Sequence, residues 1–256
     1  MQNTKIFRSM LTMNARHQRH ANEPEMWLLQ PLVAPTEIAF QTRVYGHRVR
    51  LPAGWRGLVF LERGELTVHA GDLCFFPVRL EILIKLLAFL DAANPPERPI
   101  GGDRPFFNTF RLSGANAWTD RRCCEAWFLK QVLAPTASVR AMLAMLRRSE
   151  NYGIIRFLLS ESSNGGTLQC FCERYGVSYS HFRRLCRNAL GDATKTALRE
   201  WRMARSMLEV ADRSASLTEI ALRNGYSSSS HFSSEIRDLT GMSPKGITQS
   251  LRATQK

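Results

Sequence analysis

The spacing of hydrophobic positions changes along the chain, which predicts two differently built halves. Between residues 44 and 77, short apolar runs are separated by Pro52, Gly54, Gly64 and Gly71, residues that are typical of turns between strands. The predicted strands cover residues 44–51, 58–61, 65–69 and 73–76. Four short strands bury little area, so we expect the apolar helix predicted over residues 80–92 to pack on them.

Helical spacing dominates the remainder of the chain. Residues 94–114 are rich in Pro, Gly and charged residues and are predicted to form a loop or linker, whereas 120–131, 137–148 and 152–160 are predicted helices. The run Ser-Ser-Asn-Gly-Gly at 162–166 predicts a flexible join. We therefore expect an N-terminal domain over 1–161, small and α+β, and an all-α domain over 162–256.

A repeat at an offset of 49 to 50 residues is the strongest pattern in the sequence. Phe182 and Phe232 are 50 residues apart, and so are Gly191 and Gly241. Each copy predicts a short supporting helix, a turn at a glycine and a second helix with a serine cap. That order of elements is the anatomy of a helix-turn-helix.

The outward faces of the two second helices differ in chemistry. In the first copy they carry Tyr179, Ser180, Arg183, Arg184 and Arg187. In the second copy they carry Ser229, Ser230, Ser233, Ser234 and Arg237. Because arginine can bond guanine O6 and N7 together while hydroxyls discriminate weakly, the first copy is expected to read more of the sequence.

An uninterrupted helix is predicted over residues 194–211, between the two copies. At 1.5 Å per residue it would span roughly 27 Å, so it could hold two reading helices about one turn of DNA apart, near 34 Å. Ser243 and Pro244 then predict the start of a final helix that contains Ile247 and Leu251.

Composition narrows the choice of partner. The formal net charge of +13 favours a polyanion such as nucleic acid. The excess is shared by both halves, so a DNA-binding role for the C-terminal half depends on patterning. We find no P-loop, GxSxG or HExxH motif, which argues against an enzyme and predicts no cofactor. No apolar run approaches the ~18 residues of a membrane span and no signal peptide is evident, so we expect a cytoplasmic protein without a membrane partner.

Several titratable residues allow a second interpretation. His181 and His231 with Cys172 and Cys186 would make four zinc ligands, but they belong to separate copies, and packing of the cysteines in the core is favoured. The neighbouring Cys123 and Cys124 could form a redox switch if Arg121 and Arg122 lowered a thiol pKa. Packing is again favoured. The apolar stripe of Leu83, Ile84, Leu87 and Leu90 is expected to be core, although it is also a candidate surface for a dimer or a partner protein.

The region from about Thr167 to Arg252 resembles the AraC/XylS family of bacterial transcription regulators, through both copies, the long helix and the ending Gly241-Met242-Ser243-Pro244. Within that family the sequence is most similar to the InvF-like activators of type III secretion genes. The similar stretches are residues 179–186, 201–204, 231–236, 121–129 and 146–152. The resemblance implies a sequence-specific activator of secretion and virulence genes that acts with a secretion-chaperone coactivator and RNA polymerase. A homodimer is a candidate assembly. The alternative is an interaction protein, an anti-activator whose helix-turn-helix no longer binds DNA specifically.

On this interpretation the partner is double-stranded promoter DNA, and the two faces supply the contacts. The predicted base contacts are Ser180, Arg183, Arg184, Ser229, Ser230, His231 and Ser234. The predicted phosphate contacts are Tyr179, Arg187, Lys195, Arg202, Arg237 and Lys245. The sequence departs from the family pattern at Ser234-Glu235-Ile236, where Arg and an aromatic residue are common, at Ile247-Thr248 and at Ser206. The N-terminal sheet resembles a reduced form of the family's ligand-binding barrel, too short to enclose a sugar.

Overall fold

The computed structural model describes residues 6–43, 45–96, 107–112, 118, 120–161, 167–191, 194–212 and 215–247, except for the side chain of Leu239. The predicted strand start at Val44, the predicted join at 162–166, and Thr248 and Leu251 of the final helix lie outside the described residues. The chain divides into two compact units, Met1–Tyr152 and Gly153–Lys256, called here the N-terminal and C-terminal units. The sequence predicted the domain boundary after residue 161, where a helix ends. The observed division comes earlier, after Tyr152, within that same helix.

The described part of the N-terminal unit contains nine strands in two antiparallel sheets. The five-stranded sheet has the order β1-β8-β3-β6-β9, and the four-stranded sheet has the order β2-β7-β4-β5. The strands are β1 (Leu11–Met13), β2 (Gln18–Ala21), β3 (Glu25–Pro31), β4 (Thr36–Gln41), β5 (Gly46–Leu51), β6 (Gly57–Leu61), β7 (Gly64–Ala70), β8 (Leu73–Pro77) and β9 (Phe107–Arg111).

The sheet expected from the sequence is only part of this structure. The four predicted runs correspond to β5–β8, whereas β1–β4 were not predicted. Strand β3 lies between β8 and β6 and is buried on both faces, so it lacks the alternation that marks a half-exposed strand. The loop predicted over 94–114 is wrong for β9, which pairs with β6 from Gly57↔Arg111 to Leu61↔Phe107. That pairing depends on a distant partner, which a local pattern does not reveal.

One hydrophobic core lies between the two sheets. It combines side chains from the five-stranded sheet, such as Trp27 and Phe75, with Ile38, Phe40 and Leu66 from the four-stranded sheet. The rings of Trp27 and Phe75 are 5.1 Å apart. The small α+β domain with a barrel-like sheet is therefore confirmed, with more strands than expected and with bulky aromatic side chains in its core.

Three helices follow the sheets in this unit: α1 (Leu80–Ala93), α2 (Arg121–Leu133) and α3 (Ala137–Arg147). Asp120 and Thr136 cap α2 and α3 by accepting backbone hydrogen bonds from Cys123 and Val139. Leu83, Ile84 and Leu87 of α1 are buried, so these three positions of the predicted stripe belong to the core, whereas Leu90 is only partly buried.

A buried carboxylate ties α1 to the end of α3. Asp91 is 3% exposed and accepts two hydrogen bonds of 2.8 Å from Arg147, at Nε and Nη2. The hydroxyl of Tyr152 donates a third, at 2.7 Å. The carboxylate's desolvation is thus offset by a bidentate ion pair and a hydroxyl, as buried charges require.

The described part of the C-terminal unit is helical. Its elements are α4 (Glu150–Glu161), which begins in the N-terminal unit, then α5 (Leu168–Tyr175), α6 (Tyr179–Leu190), α7 (Thr194–Asp212), α8 (Leu217–Arg223) and α9 (Ser229–Thr240). A final helical turn begins at Pro244, where the hydroxyl of Ser243 accepts from the amide of Gly246 at 3.2 Å. The two predicted helix-turn-helix pairs, α5–α6 and α8–α9, and the long helix between them are confirmed.

Candidate nucleic-acid interface

The first helix-turn-helix, α5 and α6, is shaped by its caps. Gly176 ends α5 in the left-handed region, at φ 78°, and its amide bonds to the carbonyl oxygen of Cys172 at 3.0 Å. A residue with a Cβ adopts this conformation only with strain, so glycine suits the turn. Ser178 then starts α6 by accepting from the amide of His181 at 3.4 Å.

Aromatic side chains hold α6 against its neighbours. Phe182 is fully buried, and its ring lies 5.8 Å from Tyr175 of α5 and 6.2 Å from Phe157 of α4, both edge-on. Leu185 and Cys186 are also buried on this side of the helix. The inward face of α6 is thereby fixed, which determines the residues that face solvent.

The opposite side of α6 is exposed and cationic. Every outward residue predicted for this helix is exposed: Tyr179, Ser180, Arg183, Arg184 and Arg187. The guanidinium of Arg183 lies 5.9 Å from the centre of the Tyr179 ring, within the range of a cation–π contact. The exposed faces of these side chains form what we call the arginine face of α6.

A groove of about 250 Å³ flanks the arginine face where α6 ends and α7 begins. Arg183, Arg187 and Lys195 supply its cationic rim, and Thr194 and Thr196 add hydroxyl groups. Lys195 is exposed on the first turn of α7. Cations and hydroxyls of this kind are the groups that proteins use to hold phosphate oxygens.

The second helix-turn-helix, α8 and α9, has the same local construction. Ser216 and Glu219 form a capping box on α8, and Gly225 turns the chain at φ 72°. Buried Asn224 secures the turn by donating to Glu209 and to the carbonyl oxygen of Ile220, both at 2.9 Å.

Hydroxyl groups make up most of the outward face of α9. Ser230, His231, Ser234 and Arg237 are exposed, whereas Ser229 is partly covered. Ser228 caps the helix by accepting from the amide of His231 at 3.0 Å. Further along the chain, Lys245 is exposed on the final helical turn. Ser230, Ser234 and Arg237 are thus exposed as predicted for the outward face, whereas Ser229 and Ser233 are only partly exposed. The DNA contacts of this helix remain predictions.

Arg202, predicted to contact phosphate, is already engaged within the protein. Its Nη2 lies 3.2 Å from Oε2 of Glu235, and its guanidinium lies 4.5 Å from the ring centre of Tyr226. The Arg202 side chain is only 22% exposed. The structure therefore does not favour this arginine as a phosphate contact, because its side chain is largely covered and is ion-paired with Glu235.

Glu235 itself was not predicted to have a role. It is 4% exposed on the inward side of α9, and it is the position of the second copy that corresponds to Leu185 of α6 in the first, 50 residues earlier. That comparison could have identified it, since a carboxylate at a core position requires a partner.

Two cysteines of the C-terminal unit act as small core residues, whereas the third, Cys170, is exposed. Cys172 and Cys186 are buried, and burial raises the pKa of Cys186 to about 11. In the N-terminal unit, burial is also the main cause that raises the pKa of Cys124 to about 12, which opposes a reactive thiol there. Within the described residues, no group of three or more His, Cys, Asp or Glu side chains is placed to hold a metal ion.

None of the helices described is both long and apolar enough to cross a lipid bilayer. Residues 171–250 match the helix-turn-helix domain family. The chain is 41% identical over 202 residues to the invasion protein InvF of Salmonella typhimurium, an alignment that covers 78% of this chain and 92% of that protein. It is 36% identical over 122 residues to the transcriptional regulator MxiE of Shigella flexneri, covering 47% of this chain and 58% of that protein.

Two solved structures are similar to the chain at lower sequence identity. The C-terminal domain of AraT, a response regulator from Geobacillus stearothermophilus, is 22% identical with a TM-score of 0.36, covering 40% of this chain and 84% of that one. ToxT from Vibrio cholerae is 11% identical with a TM-score of 0.35, covering 96% and 98%.

Proposed function

This chain belongs to the AraC/XylS family of transcription regulators, in the group of the invasion protein InvF, and we propose that it activates type III secretion genes by binding their promoters. The observation that carries the proposal is the arginine face of α6. A buried inward side fixes this helix on its domain, and the residues left outside have the charge and the reach to enter a major groove.

Base reading is assigned mainly to α6. Arg184 and Arg183 present planar guanidinium groups that can bond the O6 and N7 of guanine, and Ser180 lies one turn earlier on the same face. Ser230, His231 and Ser234 of α9, with partly covered Ser229, supply weaker contacts at a second groove segment. Long cationic side chains in one helix and short hydroxyls in the other support an unequal division of sequence reading.

Phosphate contacts are assigned to residues at the edges of these helices. Lys195 and Arg187 line the groove beside the arginine face, and Tyr179 stands at the start of α6. Arg237 and Lys245 have the corresponding positions beside and beyond α9. Contacts of this kind give affinity without sequence preference and make binding depend on salt.

The partners other than DNA are inferred from the family resemblance. We propose that a secretion chaperone serves as coactivator in the bacterial cytoplasm and that the complex contacts RNA polymerase, with a homodimer as a candidate assembly. Support comes from the relative InvF, an invasion protein, with which the chain shares 41% identity over most of both chains.

The test is binding of the full chain to DNA upstream of secretion genes and to scrambled DNA of equal length, at several salt concentrations. We expect a preference for the upstream DNA that persists as salt rises, because base contacts are less sensitive to counterions than phosphate contacts. Arg184→Ala on the arginine face should weaken this preference. Arg122→Ala, which removes an exposed arginine of α2, is the control for the loss of one surface charge. Equal binding to both DNAs, lost together at high salt, would contradict sequence-specific binding and favour the anti-activator alternative, which the serine-rich face of α9 also supports.

A further inference from the structure

The inward side of α9 contains a charged residue where the repeat has a hydrophobic one. Leu185 of α6 is 2% exposed, and Glu235, 50 residues later, is 4% exposed. A carboxylate loses its hydration when it is buried this deeply, which is costly unless nearby cations and donors replace the water. Apolar packing therefore does not explain the presence of Glu235 at this core position.

Two arginines of α7 provide polar contacts that compensate for the lost hydration of the Glu235 carboxylate. Arg202 Nη2 lies 3.2 Å from Oε2 and 3.4 Å from Oε1 of Glu235, and Arg199 Nε lies 3.2 Å from Oε1. Together these two arginines, both on α7, contact both carboxylate oxygens of Glu235. We call Glu235, Arg199 and Arg202 the carboxylate clamp.

The clamp extends to the outward side of α9 through a histidine. His231 Nε2 lies 3.6 Å from Oε2 of Glu235, one helical turn away, and its Nδ1 lies 3.0 Å from the hydroxyl of Ser227. His231 is exposed, as are Ser230 and Ser234 near it on the helix. A chain of polar contacts therefore runs from α7 through the inward side of α9 to the residues proposed to meet DNA.

We propose that Glu235 is a positioning residue that fixes the reading helix α9 on α7 and withholds Arg199 and Arg202 from the DNA backbone. The physical reason lies in the outward serines. A serine hydroxyl reaches only one bond beyond its Cβ, so α9 must be held close to its target within a narrow tolerance, whereas arginine can adapt. Rigid support of short contacting side chains is what a buried ion-pair network supplies.

This inference rests on the proposed function, yet it makes a distinct prediction about the arginines of α7. If Arg199 and Arg202 belong to the clamp, removing either one leaves the number of phosphate contacts unchanged. If they instead contact phosphates, each removal lowers the slope of log K against log salt concentration by about 1. The salt slope therefore separates positioning from direct contact.

The experiment measures DNA binding of the full chain for Arg199→Gln, Arg202→Gln and Glu235→Gln, with Lys195→Gln as the matched variant on the same helix. We expect Lys195→Gln to lower the salt slope by about 1 with unchanged preference. Arg199→Gln and Arg202→Gln should keep the slope and lose about tenfold in preference for the specific site, as a misplaced contact does. A slope lowered by Arg199→Gln as much as by Lys195→Gln would overturn the clamp.

Net charge is controlled by Asp238→Asn, which removes one exposed carboxylate from the same helix. Glu235→Gln should reduce specific preference and raise binding to random DNA, because it frees two arginines, whereas Asp238→Asn should preserve the preference. Equal effects of the two variants would contradict a positioning role. The half-exposed guanidinium of Arg199 makes its variant the one to use if Glu235→Gln fails to fold.

A readout without DNA keeps this inference separate from the proposed function. Amide hydrogen exchange over Ser229–Thr240 should be faster in Glu235→Gln and Arg199→Gln than in the wild-type chain, and unchanged in Asp238→Asn. A wild-type chain without sequence preference would refute the proposed function alone. Unchanged exchange in the two clamp variants would refute the clamp alone.

Discussion

The two helix-turn-helix pairs share a backbone plan and differ in the chemistry of both faces of the second helix. Each second helix has a serine cap, Ser178 or Ser228, and a phenylalanine buried at the same place. On the outward side α6 presents arginines where α9 presents serines, and on the inward side Leu185 of α6 corresponds to Glu235 of α9. The repeat therefore conserves the turns and caps, while the reading side and the docking side differ.

This difference relates the length of the outward side chains to the way in which each second helix is held in place. The helix with long, adaptable side chains is held by apolar packing, which is not directional. The helix with short side chains is also packed through apolar residues, Phe232 and Ile236, and in addition it carries ion pairs, whose geometry is directional.

Leu185→Glu should have the largest effect, because it gives α6 the inward carboxylate of α9 without the arginine partners. An uncompensated buried charge costs on the order of 3–5 kcal/mol, which we expect to unfold the first helix-turn-helix and abolish DNA binding. Hydrogen exchange over Tyr179–Leu190 together with DNA binding measures the loss. Asn188→Glu, an exposed position on the same helix, adds the same charge and should leave the fold intact. Native exchange in Leu185→Glu would show that this position does not need an apolar residue.

Arg184→Ala and Ser234→Ala compare the reading faces directly, because the two residues occupy equivalent positions 50 residues apart. We expect Arg184→Ala to weaken binding at the preferred site by about 1–3 kcal/mol and to relax the choice of base there. Ser234→Ala should cost less, since one hydroxyl discriminates weakly between bases. Competition binding against single-base variants of the site measures both effects. Equal losses on specific and random DNA for Arg184→Ala would show a phosphate contact instead.

The sequence predicted the C-terminal unit well because its information is local. Caps, turns at glycine and helical spacing each depend on residues within one or two turns, so α5–α9 were predicted nearly to their ends. The outward side of α6 followed from that spacing alone, and every residue assigned to it is exposed.

The N-terminal strands and the clamp escaped prediction because they depend on residues distant in the sequence. Strand β3 is buried on both faces and has two neighbours, β6 and β8, that come more than 25 residues later. Arg202 resembled a surface cation until its partner, 33 residues away, was placed beside it. A pattern of single residues indicates which face is polar, but it does not show which polar groups meet.

The serine caps are the feature in which the two second helices should behave most alike. Ser178→Ala and Ser228→Ala should each cost about 1 kcal/mol, because each leaves one backbone amide without a partner. The bond to the amide of His231 is 3.0 Å and that to His181 is 3.4 Å, so the larger effect is expected for Ser228. Hydrogen exchange in the first turn of each helix measures the difference, and Ser→Gly at the same positions should cost only a few tenths of a kcal/mol. A larger loss from Ser178→Ala would reverse the expected order.

The supporting helices α5 and α8 differ in their caps, which predicts a small difference in acid sensitivity. Glu219 of α8 accepts a hydrogen bond of 2.8 Å from the amide of Ser216, and this bond lowers the pKa of the Glu219 carboxyl. Cys170 of α5 takes the equivalent place three residues after the cap Thr167. Because the folded pKa of Glu219 lies below its unfolded value, the bond stabilises α8 above the unfolded pKa and is lost as pH falls through the folded one. Hydrogen exchange of Leu217–Arg223, corrected for intrinsic rates, should therefore show wild type better protected than Glu219→Gln at neutral pH, with the gap closing in acid. A gap that stays constant with pH would mean that the carboxylate does not act through its charge, and α5, which lacks this carboxylate, should show no such gap.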